Sequence, residues 1–248
     1  MVSAAPVTER ARRVLLEAGV ELREPDRVAD EGWLLENLGD ATILIAWFTP
    51  IGRRILEAAP ALELIVSRSS GVDHIDVEYA EQRGVCVANQ PEAIAFAVAE
   101  HALGLAIAAA KRLARSHAYA LEGRWSREGR PPWIRGRLIR GSTVGVVGMG
   151  RIGALVAWYA RSMGASRILY WSRRRKPELE QVLLAEPASL ERLFRESDVV
   201  VVALPKTRET HRLIGCSLLS SMKSGAVLVN VGRGSVIDEE ALARVIEE

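Results

Sequence analysis

The chain has 248 residues, of which 49% are hydrophobic and 26% charged, and its formal net charge is +2 at pH 7. This composition is typical of a folded globular protein with one large or two smaller α/β domains, and it excludes an intrinsically disordered chain. The near balance of charge gives no support to a surface that binds nucleic acid or a membrane.

Neither a membrane span nor a metal site is indicated by the apolar and cysteine patterns. The most hydrophobic long stretch, residues 94–110, is interrupted by Glu100 and His101, which indicates a buried helix. Cys86 and Cys216 lie far apart and lack the spacing of metal ligands. We therefore expect no metal, no signal segment and a reducing, cytoplasmic setting.

The first hundred residues alternate between helical and strand patterns. The patterns predict helices at 8–19, 51–60 and 77–84, and strands at 41–48, 62–67 and 85–89. Such alternation implies parallel strands with helical crossovers, and so one small α/β domain. Only MVSAAP precedes the first helix, so the start of the chain lacks a predicted strand.

A long helix at about 94–121 and a Gly-, Pro- and Arg-rich connection at 122–141 separate this domain from a second one. The alternation then restarts, with predicted strands at 143–148, 168–171, 199–204 and 226–231, and a weaker strand pattern at 182–184. We place the domain boundary near residue 98. We expect the second domain to stop after a helix at 238–248, before any further strand.

The segment TVGVVGMGRIGALVA, residues 143–157, carries a G-x-G-x-x-G pattern between an apolar strand and an apolar-periodic helix. Gly148 permits the tight turn, Gly150 lets the backbone approach a pyrophosphate, and Gly153 lets helix and strand pack closely. The N–H groups and dipole of the helix start attract phosphates. The pattern predicts a dinucleotide-binding turn; a glycine-rich turn without a ligand is the alternative.

The next strand leads into a basic run where NAD-binding sites of this kind place an acidic residue. Ser172, Arg173, Arg174, Arg175 and Lys176 follow ILYW with no Asp or Glu among them. Guanidinium groups pair with a 2′-phosphate, whereas a carboxylate would repel it. The run favours NADP(H) over NAD(H); a solvated charge run at a helix start is the alternative.

Two other strand ends carry groups suited to a carboxylate. Ser70 and Gly71 follow a buried strand, and adjacent N–H groups in such a turn can bind an anion. Arg233 follows AVLVNVG, where an arginine can bind a substrate carboxylate and polarise a carbonyl. An ordinary turn and a surface arginine are the alternatives.

The four histidines, His74, His101, His117 and His211, are the candidates for acid–base chemistry. His74 follows the Ser-Ser-Gly turn, two others lie on the predicted long helix, and His211 lies in a polar loop. Isolated histidines are more often structural or exposed than catalytic. We therefore assign none of them a catalytic role.

Together these segments resemble the D-isomer-specific 2-hydroxyacid dehydrogenase family, which includes glyoxylate/hydroxypyruvate reductases and phosphoglycerate dehydrogenase. The resemblance covers nearly the whole chain. It rests on SSGVDHIDVEYAEQRGVCVANQP, VAEHALGL, VGVVGMGRIG, SDVVVVALPKTRETHRLI and VLVNVGRGSVIDEEAL, in the family's order. Within the family, ILYWSRRRK looks most like the glyoxylate reductase branch that uses NADPH.

The resemblance implies an α/β protein with two Rossmann-like or flavodoxin-like domains and parallel sheets. Residues 1–98 would form the N-terminal part of a substrate-binding (catalytic) domain. Residues 99–248 would form a doubly wound NAD(P)-binding Rossmann domain lacking its last strands. The implied reaction reduces a small 2-oxo acid, of the glyoxylate or hydroxypyruvate type, to the D-2-hydroxy acid. NADP is the preferred cofactor, and a homodimer through the cofactor domain is the implied assembly.

The resemblance also assigns roles to individual residues. Ser70, Gly71 and Val72 would bind the substrate carboxylate, and Arg233 would be the catalytic arginine. The remaining assigned residues would bind the cofactor: Gly148, Met149, Gly150, Arg151, Ile152, Gly153, Ser172, Arg173, Arg174, Leu204, Pro205, Thr210, Val231 and Gly232.

The chain also departs from the family pattern. Ala95 and Phe96 stand where the family often has Thr and Asp. The family's acid–base histidine and its glutamate partner would lie beyond Glu248. The alternative expectation is therefore a short, non-catalytic or regulatory NAD(P)-binding relative, or a non-functional gene remnant.

Overall fold

The computed structural model describes residues 1–247, and it divides into two compact units, Met1–Ile94 and Ala95–Glu248. Each unit is an α/β layer built on a parallel sheet. The sequence places the boundary near residue 98, which falls in the first turn of the helix that opens the second unit. The assignment of substrate binding to one unit and nucleotide binding to the other stays a prediction.

The first unit has a four-stranded sheet in the order β1-β2-β3-β4, with all neighbours parallel. Its elements are β1 (Val2–Ser3), α1 (Glu9–Glu17), α2 (Glu31–Asn37), β2 (Ile43–Ala46), α3 (Arg53–Glu57), β3 (Leu64–Ser67), α4 (Val77–Gln82) and β4 (Cys86–Ala88). Alternate residues of the inner strands, such as Leu44 and Ile65, are fully buried in the core of this unit.

The structure corrects the sequence prediction at the start of this unit. The segment MVSAAP is not without a strand, because Val2 and Ser3 pair in parallel with Leu44 and Ile45. Two residues are too few to show a strand period, so the pattern missed this strand. Helix α2 was also missed, although Asp30 caps it by accepting a hydrogen bond from the Trp33 N–H at 2.9 Å.

The second unit has a five-stranded parallel sheet in the order β7-β6-β5-β8-β9. From β5 the chain first adds β6 and β7 on one side, and it then returns to add β8 and β9 on the other side of β5. This is the doubly wound arrangement that the sequence predicts. Its strands are β5 (Thr143–Val147), β6 (Arg167–Trp171), β7 (Ala185–Pro187), β8 (Val199–Val202) and β9 (Val227–Asn230). The fold class is therefore confirmed.

Helices cover both faces of this second sheet. They are α5 (Ala95–Ala110), α6 (Leu113–Leu121), α7 (Arg124–Glu128), α8 (Arg151–Ser162), α9 (Pro177–Leu183), α10 (Leu190–Glu196), α11 (Cys216–Ser220) and α12 (Glu239–Glu247), with 3₁₀ turns at Pro132–Ile134 and Gly234–Val236. Residues of α5 and α8 share one core with one face of the strands, and residues of α10, α11 and α12 share the other. Because the sheet is covered on both sides, all four residues of β8 are buried valines.

Two predictions for the second unit are wrong in detail. The long helix predicted at 94–121 is broken at Arg112, whose φ of 53° is left-handed and whose guanidinium donates to the Trp133 carbonyl at 2.7 Å. The predicted strand at 182–184 is instead the end of α9, with Leu184 left-handed at φ 50°. In neither place does a glycine signal the left-handed residue.

No helix of the described residues is long and apolar enough to cross a membrane. The described part of the chain also contains no group of His, Cys, Asp and Glu side chains arranged to hold a metal ion.

Gly145, in the middle of β5, allows α10 to pack against the sheet. A Cβ at this position would overlap Ser197 Oγ and would lie 2.6 Å from Leu193 Cδ2, and both neighbours are fully buried. We predict that Gly145→Ala lowers the free energy of unfolding by about 1–3 kcal/mol, because the core must shift to accept the methyl group.

Chemical denaturation measures this loss. Gly39→Ala, in an exposed turn, is the matched control, because a Cβ there meets no atom within 4 Å and the Gly39 backbone is not left-handed. Equal stability of the two variants would contradict the packing argument.

Candidate functional site

The turn between β5 and α8 lies at the carboxyl end of β5, the strand from which the sheet extends to β6 on one side and to β8 on the other. Gly148 has a φ of 103°, and its N–H donates to the Trp171 carbonyl at 2.8 Å. A Cβ on Gly148 would lie 2.7 Å from the Ala203 carbonyl oxygen, and one on Gly153 would overlap the Gly148 carbonyl oxygen. These two glycines are therefore required by the fold itself.

Gly150 differs from these two glycines because the fold does not require it. Its φ of −86° suits any residue, and a Cβ there would meet no atom within 4 Å. It is the N-cap of the twelve-residue helix α8 and makes no side-chain capping bond. The absence of a side chain leaves open the approach to the start of α8, where backbone N–H groups attract phosphate.

The side chains of Met149 and Ile152 belong to the core rather than to the turn surface. Met149 is 1% exposed, and Ile152 is partly buried against the same cluster beneath α8. The predicted pyrophosphate contact of the buried Met149 would therefore come from its backbone, and that of Ile152 stays a prediction. Arg151, between Gly150 and Ile152, is exposed.

A cavity of about 620 Å³ joins this turn to the basic run after β6. Its lining includes Gly148 and Gly150 from the turn, and Ser172, Arg173, Arg174 and Lys176 from the run. The three basic side chains are exposed and form no hydrogen bond or ion pair with any described residue. Cations without such pairs on the wall of one cavity suit a polyanionic ligand.

The loop after β8 forms another part of the cavity wall. Leu204 and Pro205 line the cavity, whereas Thr210 does not and is 5% exposed. The Thr210 hydroxyl donates to the Pro205 carbonyl at 2.7 Å and accepts from the Thr207 N–H at 2.8 Å. The structure thus gives Thr210 the role of holding this loop, and its direct contact with a cofactor stays a prediction.

The end of β9 places Arg233 at the same edge of the sheet. Asn230 Oδ1 accepts from the Gly232 N–H, and Asn230 Nδ2 donates to the Arg233 carbonyl, both at 3.0 Å. The Val231 N–H donates to the Val202 carbonyl at 2.9 Å, and a Cβ on Gly232 would overlap the Leu204 carbonyl oxygen. This turn is therefore fixed against the β8 loop. Asn230 was not among the residues predicted from the sequence, although its position just before a Val-Gly-Arg turn could have indicated that it bonds the backbone of that turn.

In the first unit, the turn after β3 exposes backbone donors. The Ser69 hydroxyl donates to the Gly71 carbonyl at 2.7 Å, and Asn89 Nδ2 donates to the Ser70 carbonyl at 2.7 Å. No described residue accepts a hydrogen bond from the N–H groups of Ser70, Gly71 or Val72. The turn therefore has its carbonyl groups bonded and its amides available to an anion.

The structure places none of the four histidines on the wall of the cavity at the β5–α8 turn. His101, His117 and His211 are exposed. His74, in the first unit, is half-buried, and its carbonyl accepts from the Ile51 N–H at 2.7 Å. The structure therefore gives no reason to assign any of the four histidines a catalytic role.

A family model described as "D-isomer specific 2-hydroxyacid dehydrogenase, NAD binding domain" matches residues 103–248. Among curated proteins, the chain is 42% identical over 233 residues to a glyoxylate reductase from Thermococcus kodakarensis. That match covers 92% of this chain and 70% of the relative.

Solved structures give the same picture. The TT0316 protein from Thermus thermophilus matches with a TM-score of 0.90 and 35% identity, over 99% of this chain and 78% of that one. A D-lactate dehydrogenase from Aquifex aeolicus, complexed with NAD and lactic acid, matches with a TM-score of 0.86 and 30% identity, over 100% of this chain and 73% of that one.

The contrast between Gly150 and Gly153 gives a prediction that separates binding from folding. We expect Gly150→Ala to lower the free energy of unfolding by no more than about 1 kcal/mol, because the added methyl group meets open space and only the N-cap preference for glycine over alanine is lost. It should weaken dinucleotide binding by roughly tenfold or more, equivalent to about 1.4 kcal/mol, because that space is the approach to α8. Gly153→Ala should instead destabilise the fold.

Denaturation and fluorescence titration with NADPH, run on both variants, test this contrast. Unchanged affinity in a folded Gly150→Ala variant would exclude this turn as the pyrophosphate site.

Proposed function

The chain belongs to the D-isomer-specific 2-hydroxyacid dehydrogenase family, and we propose that it reduces a small 2-oxo acid of the glyoxylate or hydroxypyruvate type with NADPH. The observation that carries the choice of cofactor is the set of three cations without an ion pair in the described chain, Arg173, Arg174 and Lys176, on the wall of the cavity beside the glycine turn. The similarity to a glyoxylate reductase supports the choice of substrate class.

The residues of the second unit fit a bound dinucleotide. The start of α8 would bind the pyrophosphate, with Gly150 leaving space for it. Arg173 and Arg174 would pair with the 2′-phosphate, and Ser172 would add a hydrogen bond to it. Leu204 and Pro205 would contact the adenosine side, and Val231 and Gly232 the nicotinamide end. When bound, the reduced nicotinamide supplies the hydride, and the carbonyl oxygen would take its proton from water, since no histidine of this chain is assigned as the acid.

The substrate would be held through its carboxylate and its carbonyl. The available amides of Ser70, Gly71 and Val72 would bind the carboxylate, because their turn already has its carbonyl groups bonded. Arg233 would orient the substrate and stabilise the negative charge that develops on the carbonyl oxygen. Asn230 fixes the backbone on both sides of Arg233 and thereby sets its position.

A homodimer through the second unit is part of the proposal. Helix α5 buries Ala99, Ala102 and Ala106 in the core of the unit, whereas Leu105, at the margin of the buried face, is 40% exposed. Gly104, next to it, leaves open space above the helix backbone. An exposed leucine beside a glycine, next to the exposed Glu100 and His101, suits close packing against a second copy of the chain.

Arg233→Gln tests the proposed reaction. We expect the wild-type protein to oxidise NADPH only slowly in the presence of glyoxylate or hydroxypyruvate, because none of its four histidines is assigned as the acid. The variant should lose about a further 100- to 1,000-fold in kcat/KM, because a fixed positive group no longer stabilises charge on the carbonyl oxygen. NADPH affinity should change much less. Absorbance at the nicotinamide band measures the rate.

Arg195→Gln is the matched control, because Arg195 is an exposed arginine on α10 with no ion pair among the described residues. Unchanged turnover in Arg233→Gln would remove Arg233 from the site. NADPH binding without turnover of any 2-oxo acid in the wild-type protein would favour a regulatory, non-catalytic relative.

Leu105→Glu tests the assembly. We expect a dimer in the wild type and a monomer in the variant, because a dimer would have to bury the new charge. Light scattering after size-exclusion chromatography measures the mass. Leu184→Glu, which changes an exposed leucine after α9, is the control and should remain dimeric; a dimeric Leu105→Glu protein would place the interface elsewhere.

A further inference from the structure

We propose that Tyr170, Arg175 and Glu180 form a positioning network that holds the loop 172–176 in the shape that binds the 2′-phosphate, and that Arg175 is not itself a phosphate ligand. The inference rests on the proposed NADP(H) function and goes beyond it. It assigns different roles to arginines that are adjacent in the sequence.

Tyr170 is the centre of the network. It lies in β6, it is 1% exposed, and its hydroxyl donates to Glu180 Oε1 at 2.5 Å. The same hydroxyl accepts from the Lys176 N–H at 2.9 Å. One buried side chain therefore connects the strand before the loop to the residue that ends the loop.

Arg175 is held by the same carboxylate. Its Nε donates to Glu180 Oε1 at 3.1 Å, and its Nη2 bonds to the other carboxylate oxygen. This is a two-point guanidinium–carboxylate pair, which fixes direction as well as distance. The Arg175 guanidinium is thus occupied, in contrast to those of Arg173 and Arg174, which have no hydrogen bond or ion pair among the described residues.

The loop has few other anchors. Lys176 caps α9 without a side-chain capping bond, and Pro177 follows it. Within the loop, the Ser172 hydroxyl donates to the Arg174 carbonyl at 2.5 Å. Two links to β6 and α9 thus set the loop's position: Tyr170 to the Lys176 amide, and Arg175 to Glu180.

Electrostatics explains why a carboxylate is tolerated beside a phosphate site. The hydrogen bonds from Arg175 and then from Tyr170 hold the pKa of Glu180 below its usual value, so it stays charged. Burial, and then the neighbouring Glu180, raise the pKa of Tyr170, so its hydroxyl remains a donor. The charges of Arg175 and Glu180 cancel, whereas Arg173, Arg174 and Lys176 make no ion pair within the described chain. A hydrogen bond with Thr207, and after it the charge of Arg173, helps to lower the pKa of Glu209.

The network should act on one cofactor and not on the other. Only NADPH carries the phosphate that the loop would bind, whereas the pyrophosphate of either cofactor would be bound at the start of α8. The ratio of the two dissociation constants is therefore the readout, and a general loss of stability would not change it selectively.

The experiment compares Tyr170→Phe, Arg175→Gln and Arg174→Gln by titrating each protein with NADPH and with NADH. We expect Tyr170→Phe and Arg175→Gln each to raise the Kd for NADPH by about three- to tenfold, the value of one hydrogen bond, with that for NADH changed less than about twofold. Arg174→Gln, which removes a direct ligand, should raise the Kd for NADPH by about ten- to a hundredfold.

The double variant of Tyr170 and Arg175 should have a Kd for NADPH no higher than that of the weaker-binding single variant, because both changes break one network.

A wild-type protein that does not prefer NADPH would overturn the proposed cofactor and this inference together. A wild-type protein that prefers NADPH, with an unchanged ratio in both network variants, would overturn the inference alone. So would an Arg175→Gln loss as large as that of Arg174→Gln, since Arg175 would then bind the phosphate directly. Arg175 is exposed, so this variant remains informative even if Tyr170→Phe unfolds.

Discussion

The close approach of backbone to backbone at the carboxyl edge of the second sheet is the constraint on which the other features of the site depend. The α8 helix can pack against the β5 turn only because Gly153 has no side chain, and the β9 turn can contact the β8 loop only because Gly232 has none. These contacts bring three strand ends together. The glycine turn, the loop at Leu204 and the arginine at 233 therefore lie on one edge as a result of packing, before any ligand is considered.

The positive charge that faces the cavity at this edge depends on which cations form ion pairs, and not only on how many cations the loop contains. The basic run has four cations after Ser172, but Glu180 neutralises Arg175, so the cavity wall carries only those that have no ion pair in the described chain. The buried Tyr170 hydroxyl links that pair to the loop backbone. The proposed preference for a phosphorylated cofactor thus depends on which arginines are occupied as much as on how many there are.

The sequence predicted the strands and the turn whose residue patterns are local. It did not predict the features that depend on contacts between side chains and distant parts of the backbone. Apolar runs and the glycine pattern located β5, β8 and β9 and the glycine turn after β5, because buried parallel strands and tight turns constrain residue type strongly. The break at Arg112 left no such trace, since its left-handed backbone is stabilised by a bond to Trp133, far along the chain. Asn230 and the Tyr170–Glu180 pair were missed for the same reason: their roles come from hydrogen-bond partners, which no period records.

In the proposed complex, one edge of the second sheet binds the pyrophosphate at the start of α8 and the 2′-phosphate at the loop after β6. A crystal structure of the protein with NADPH bound is the sharpest test of this arrangement. We expect a pyrophosphate oxygen within hydrogen-bonding distance of the amides that follow Gly150, and the 2′-phosphate beside Arg173 and Arg174, with Arg175 still paired to Glu180. A bound nucleotide whose 2′-phosphate contacts Arg175, or points to solvent away from the loop, would contradict it.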